Sequence, residues 1–296
     1  AVAPLIGLAA ALGVLTGSSA VLAVLTMGLI GAAAGYCFSV SLRLAIAGLS
    51  VALSLLITQG LPLEPSDALP ALLLATAGGL LQAAFSLCVY AVEGTCRRRR
   101  VHMRPGATAR PSAEAVWDWR GGLGDLASNL TLRSTSARHA LRFGAALATG
   151  VAAYWLLGME EHGFWIPLTI LFVMRPEEDE TFRRLILRAI GTAAGLVIAT
   201  ALSEWLQGDG IALALALAVA TAFAYGLLTV QYALFTAAIT VYAVLLADSL
   251  GEPALRAAGQ RAGATALGIV IAAAAFLIWS NPGEEEVPLA PSGPAR

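Results

Sequence analysis

The chain contains no lysine: all 18 basic residues among its 296 are arginine. That absence excludes a Walker-type phosphate loop, a Schiff-base lysine and a kinase-type lysine, each of which needs an ε-ammonium. The chain is therefore not an ATP-driven pump on its own account. Charge of either sign is scarce, at 12% of residues against about 25% in a soluble domain. The three cysteines, Cys37, Cys88 and Cys96, form no CxxC pair, and two lie in apolar runs. They read as buried free thiols rather than a metal or redox site. His102, His139 and His162 are too scattered to make a ligand set. No metal and no cofactor is expected. HExxH, GxSxG and paired aspartates within apolar helices are missing as well, so no enzyme is read here. No charged-then-apolar signal peptide opens the chain, which begins without Met in an apolar run. Its amino-terminal part is expected to be missing.

What is present is oil. Hydrophobic residues make up 58% of the chain and the mean hydropathy is +0.78. The class this defines is an all-α membrane protein. Apolar segments fall near 3–17, 20–38, 42–60, 69–92, 139–157, 163–175, 184–206, 211–227, 229–248 and 262–280. A helix needs about 20 residues to cross the hydrocarbon core, and most of these qualify. The 163–175 run is too short to span comfortably and contains Pro167, which removes a backbone donor. It reads as a short bent helix or a re-entrant element lining a cavity. The expected organisation is a partial first bundle of four helices over 1–92, an Arg-rich linker over 93–138, a second bundle of six over 139–281, and a disordered tail over 282–296.

The linker sets the topology. Arg97 to Arg100, Arg104, Arg110, Arg120, Arg133 and Arg138 face only Glu93, Glu114, Asp118 and Asp125. Arginine excess beside membrane spans marks the cytoplasmic side, with attraction to anionic lipid. In that setting topogenic anchoring outweighs nucleic-acid binding. Counting helices outward puts the acidic turn Glu160-Glu161-His162 outside and the carboxyl-terminal tail inside, with the linker. Trp155, Trp165, Trp205 and Trp279 lie near segment ends, as interfacial anchors do.

One spacing recurs. Arg188, Thr192 and Gly195 fall at i, i+4 and i+7, on one face of a helix. Gly191 and Gly195 also form a GxxxG, which lets a second helix approach closely. The same spacing returns as Arg261, Thr265 and Gly268, again opening an apolar helix, three helices later. Three is odd, so the two units would lie upside down relative to each other. The pattern points to a 3+3 inverted repeat, which places substrate sites near the midplane between units. Two readings of Arg188 stand: a side chain snorkelling to the inner headgroups, or part of a polar pathway. Arg261 falls on the outer side, where arginine excess is not expected, and reads as functional unless Asp248 and Glu252 neutralise it. The candidate pathway residues are Arg188, Thr192, Arg261, Thr265, Trp165 and Thr169. His162, Glu161 and Glu160 are candidates for proton coupling, because a histidine titrates near neutral pH. Solvated loop positions are the plainer reading of those acids.

Phe164-Trp165-Ile166-Pro167-Leu168-Thr169, then Arg175-Pro176 with an acidic run, then Arg188-xx-Gly191-Thr192-xx-Gly195, resemble the fusaric acid resistance group, the bacterial aromatic acid exporters. The stretch from Arg261 to Asn281-Pro282 resembles that domain's last helix. The resemblance covers about 138–282 well and 1–92 faintly. It implies two six-helix halves around a cytoplasmic region, of which this chain has a full second half and four helices of the first. It further implies inner-membrane, proton-driven efflux of aromatic or other organic carboxylates, in some members with a periplasmic adaptor. Trp165, Pro167, Thr169, Arg188, Gly191, Thr192 and Gly195 are the positions it carries over. An anion channel on the same scaffold, which would need arginines lining a pore, and a non-transporting membrane scaffold remain as competing readings. A homo-oligomer in the lipid bilayer is compatible with each.

Overall fold

A computed structural model describes residues 2–38, 41–102, 135–159, 163–206, 210–227 and 230–278. Those residues form ten α-helices, one 3-10 turn and no strand. The helices are α1 (Ala3–Gly17), α2 (Ala20–Cys37), α3 (Leu42–Gln59), α4 (Ala68–His102), α5 (Thr135–Leu156), α6 (Trp165–Val173), α7 (Glu178–Trp205), α8 (Gly210–Leu227), α9 (Tyr232–Ser249) and α10 (Ala254–Ile278). Six stretches are long and apolar enough to cross a membrane: α2, Pro65–Phe85 at the head of α4, and α7 to α10. This is a multi-pass membrane protein, and its oily exterior is consistent with that. Leu29, Leu74, Ile211 and Leu255 all stand exposed, where only lipid could receive them.

Close contacts fix the helix directions. Gly28, Gly31 and Gly35 of α2 meet Ala148, Leu147 and Ala140 of α5 in descending order, so these two helices run antiparallel. Gly191 and Gly195 of α7 meet Ala233 and Ala237 of α9 in ascending order, so that pair is parallel. Phe182 of α7 stacks near Phe276 of α10, while Ser203 and Glu204 share a cleft with Pro253 and Ala254. Helices α7 and α10 are therefore antiparallel.

Two boundaries differ from the sequence reading. Helix α4 continues to His102, ten residues into the expected linker, because nothing in Glu93–His102 breaks a helix. Helix α5 begins at Thr135, inside that linker's far end. Residues 103–134 and the 282–296 tail lie outside the described residues. The packing also does not divide into a four-helix and a six-helix bundle. The main core joins Met27, Leu55 and Leu56 of the first segment to Phe143, Ile166, Ile170 and Phe276 of the second. Small residues make that junction: a Cβ on Gly31 would lie 2.7 Å from Leu147 Cδ1, closer than real side chains come. Cys37 is half-buried and Cys88 exposed, both as free thiols, because the apolar runs that hold them face outward rather than into the core. Cys96 is not described beyond its place in α4.

Helix α6 has nine residues. At 1.5 Å per residue it is about 13 Å long, less than half a hydrocarbon core of about 30 Å. Seven of the nine are buried, so it is a plug inside protein rather than a lipid-facing span.

A buried dicationic centre between α6, α7, α9 and α10

Arg188 of α7 and Arg261 of α10 are each only 1% exposed, the two largest side chains so completely buried. Each enters from the start of its own helix, and the helices are antiparallel, so the two come from opposite ends. Arg188 lies six residues in from Phe182, and Arg261 fifteen residues from Phe276, whose ring lies 6.4 Å from that of Phe182. The axial offset between their backbones is therefore about 13 Å. Long guanidinium arms close much of that gap, and the two positive charges repel each other through the interior. Neither side chain reaches headgroup water, which removes the snorkelling reading for Arg188.

Neither cation has a carboxylate partner among the described residues. Arg188 Nε and Nη2 and all three nitrogens of Arg261 are buried with no hydrogen-bond partner among the described residues. Asp248 accepts instead from Ser203 at 2.8 Å, and Glu252 lies 3.9 Å from Arg256. The arginines that do have carboxylates are at the rim: Arg183 and Arg184 share Glu180 at 2.8 and 2.6 Å. Burial of an unpaired cation is costly, about 2.5–3.5 kcal/mol even on the mildest insertion scales. Arg261 recovers part of this from the face of Trp165, 4.8 Å from its ring centroid. Trp165 is 4% exposed, so it is a platform under a cation and not a member of an interfacial belt. Trp205, 81% exposed, does sit as a belt residue would. Trp279 lies outside the described residues.

The threonines divide into two kinds. Thr169 and Thr236 donate to the carbonyls one turn back, Trp165 and Tyr232, at 3.0 and 2.9 Å. Their methyl sides fill the space over glycines: a Cβ on Gly268 would lie 2.7 Å from Thr169 Cβ, and one on Gly191 2.8 Å from Thr236 Cβ. Thr169 thus packs with its hydroxyl proton bound to its own helix. Thr192 and Thr265, one turn on from the arginines, are 3% exposed and make no hydrogen bond. Thr240 Oγ1 and the Tyr232 hydroxyl are likewise buried and unpartnered. Two cations and four hydroxyls on α7, α9 and α10 are thus buried without a hydrogen-bond partner among the described residues.

The cross-contacts repeat. An aromatic residue opens a helix, the threonine four residues on bonds back to its carbonyl, and that threonine covers a glycine of another helix. Trp165, Thr169 and Gly268 make one copy; Tyr232, Thr236 and Gly191 make the other. Each third helix packs on the second helix of the opposite unit, as an inverted repeat requires. The symmetry is imperfect. Arg261 lies over Trp165, but over Tyr232 lies Arg184, one turn before Arg188, at 4.8 Å.

Sequence reasoning missed Tyr232, Thr236 and Thr240, and the aromatic-xxx-Thr pair shared by Trp165 and Tyr232 was the available signal. It also missed a second basic cluster at the other end of α5. His139 and Arg142 are both 2% exposed, His139 stacks on Phe143 at 5.7 Å, and Arg142 lies 3.6 Å over Phe276. Arg175, in the turn between α6 and α7, sits 5.2 Å over Phe38. Burial and the nearby Arg184 push Arg175 down to about 10, which leaves it charged at neutral pH. Thr181 ties that turn, accepting from the Arg175 N–H at 2.9 Å and donating to the Glu177 carbonyl at 3.1 Å. His162, Glu161 and Glu160 lie outside the described residues.

The fold and this centre together define a helical membrane protein with an unmatched positive interior. Residues 147–275 match the family model described as fusaric acid resistance protein-like, which bears out the sequence resemblance over that stretch. The chain is 36% identical over 158 residues to "Inner membrane protein YccS" of Escherichia coli (strain K12), covering 53% of this chain and 22% of that protein. It is 31% identical over 121 residues to "Uncharacterized protein slr1298" of Synechocystis sp. (strain ATCC 27184 / PCC 6803 / Kazusa), covering 41% of this chain and 16% of the relative. The aligned stretches thus span about a fifth or less of the curated relatives' length. No solved structure matches.

Proposed function

We propose that this chain is the membrane part of a secondary transporter that exports aromatic or other organic carboxylates, with Arg188 and Arg261 as the anion site. One observation carries the reading: two fully buried guanidinium groups interact through the same interior with no carboxylate partner among the described residues. An unpaired buried cation is costly, and a bound anion would recover that cost. Thr192, Thr265, Thr240 and Tyr232 supply neutral donors around the same space, and Trp165 offers a flat face to an aromatic ring. The printed name of the Escherichia coli relative supports an inner-membrane location. The linker is assigned to the cytoplasm by its arginine excess, and the carboxyl terminus by the helix count. Proton drive, a periplasmic adaptor, a homo-oligomeric assembly and the absence of enzymatic activity complete the proposal.

A channel on the same scaffold is the second reading. It draws on two pairs of basic side chains that repel each other, Arg175 with Arg184 and Arg188 with Arg261. Proteoliposomes containing the protein distinguish these readings. A carrier gives saturable benzoate uptake that responds to an imposed pH gradient; a channel gives unitary currents. Benzoate flux that survives in the Arg188→Leu, Arg261→Leu double variant would leave only a non-transporting scaffold or a different route.

A further inference from the structure

A cleft of about 340 Å³ opens at the end of the bundle where α1, α3 and α5 finish, apart from the arginine centre. Its polar lining is Gln59, Tyr154 and Trp155, with Gly60, Leu61 and Pro62 completing the wall. Among the described residues no charged side chain lines it. Gln59 and Tyr154 are 4% and 3% exposed.

The Gln59 amide has one fixed orientation. Thr16 Oγ1 donates its proton to the Leu12 carbonyl at 2.8 Å, and Thr26 Oγ1 donates to the Leu22 carbonyl at 2.6 Å. Both hydroxyls therefore have only lone pairs left for Gln59, as does the Ala23 carbonyl. The group that meets all three must be the NH2, and Nε2 donates to them at 3.0, 2.9 and 3.4 Å. Oε1 is left over, buried and without a partner. The Tyr154 hydroxyl and the Trp155 indole N–H, on the facing helix, are also buried; the indole N–H interacts with the Tyr154 oxygen without a well-formed bond, and neither group meets another acceptor among the described residues. The cleft thus holds one acceptor whose direction is set by three bonds, opposite two donors on a stacked aromatic pair 6.1 Å apart.

We infer that this cleft binds a small uncharged molecule whose polar end offers a donor and an acceptor together, on an aromatic or apolar body. A primary carboxamide has that pattern, and so does an undissociated carboxylic acid. Its N–H or O–H donates to Gln59 Oε1, and its carbonyl accepts from Tyr154 and Trp155. A carboxylate fits less well, because it has no proton to give Oε1 and meets no cation among the described residues. The volume lies at the lower end of small-molecule sites. Phe164, packed on Gly60, and Trp165 separate the cleft from Arg261, so the two sites recognise opposite charge states of related molecules.

Calorimetric titration of the whole protein in lipid nanodiscs tests this with benzamide and with benzoate. Benzamide binding is expected to saturate, to weaken about tenfold in Gln59→Leu, and to weaken several-fold in Tyr154→Phe. Arg261→Leu should leave benzamide binding within about twofold of wild type, so failure of the transport reading does not touch this result. In the Arg188→Leu, Arg261→Leu background, benzoate should gain binding only as the pH is lowered. Thermal unfolding shows that each variant is folded; Thr16 and Thr26 keep their own-helix bonds in Gln59→Leu, and Tyr154→Phe decides if that variant fails. Benzamide binding equal in wild type and both cleft variants, or no saturable binding to folded wild type, means the cleft holds water only and overturns the assignment.

Discussion

Helices α1 to α4 and helices α5 to α10 bury polar groups on opposite terms. In the first segment the buried polar side chains among the described residues are Thr16 and Gln59, and the Gln59 amide protons are matched by the hydroxyls and carbonyl around them, with only the neutral Oε1 left over. In the second, His139, Arg142, Arg188 and Arg261 are all buried, and the last two leave guanidinium protons without acceptors. Both segments share one core, so solvent and lipid exposure do not account for the contrast. A matched interior contributes stability; an unmatched cationic one spends it, and function is what such an expense commonly supports.

The comparison makes predictions of opposite sign. Arg188→Leu with Arg261→Leu should lower benzoate affinity by at least about a hundredfold, read by calorimetry, because a desolvated charge-assisted contact is lost at both residues. The same double variant should be more stable than wild type by about 1–3 kcal/mol without ligand, read as a rise in the unfolding midpoint. Gly195→Val comes next and goes the other way. Even a Cβ at Gly195 would stand 2.6 Å from the Ala237 carbonyl oxygen, so α7 and α9 must separate, at a cost of about 2–3 kcal/mol. Thr16→Val in the matched segment should cost about 1–2 kcal/mol, because the buried Gln59 NH2 loses an acceptor. A stabilising Thr16→Val would break the contrast at its root. Ser203→Ala removes one half-exposed bond to Asp248 and should shift stability by less than about 1 kcal/mol.

Much of this was legible before any coordinates. The alternation of apolar runs located the helices, and proline in a 13-residue run announced the short plug that α6 forms. The Arg-xxx-Thr-xx-Gly recurrence picked out both buried arginines and both free threonines, because i, i+4 spacing puts them on one helix face. What it could not supply was which helix each face meets. Thr169 and Thr192 look alike in sequence. Only the packing shows that the first has its hydroxyl proton bound to its own backbone over Gly268 while the second is free. Trp165 sits near a segment end, as belt aromatics do, yet the end of a nine-residue helix lies inside the protein rather than at the membrane surface. The Gln59 cleft was invisible for a similar reason: its three polar atoms come from positions 59, 154 and 155, with nothing periodic to join them.

The most direct test of the unmatched centre is the benzoate-dependent shift in the thermal unfolding midpoint of wild type and of the Arg188→Leu, Arg261→Leu variant. Ligand that binds only the folded state raises the midpoint in proportion to the logarithm of its concentration. The account predicts a wild-type midpoint that climbs with benzoate, and a variant that starts higher and does not move. A variant that melts lower than wild type and still responds to benzoate would show that the two arginines are structurally satisfied and that the anion binds elsewhere.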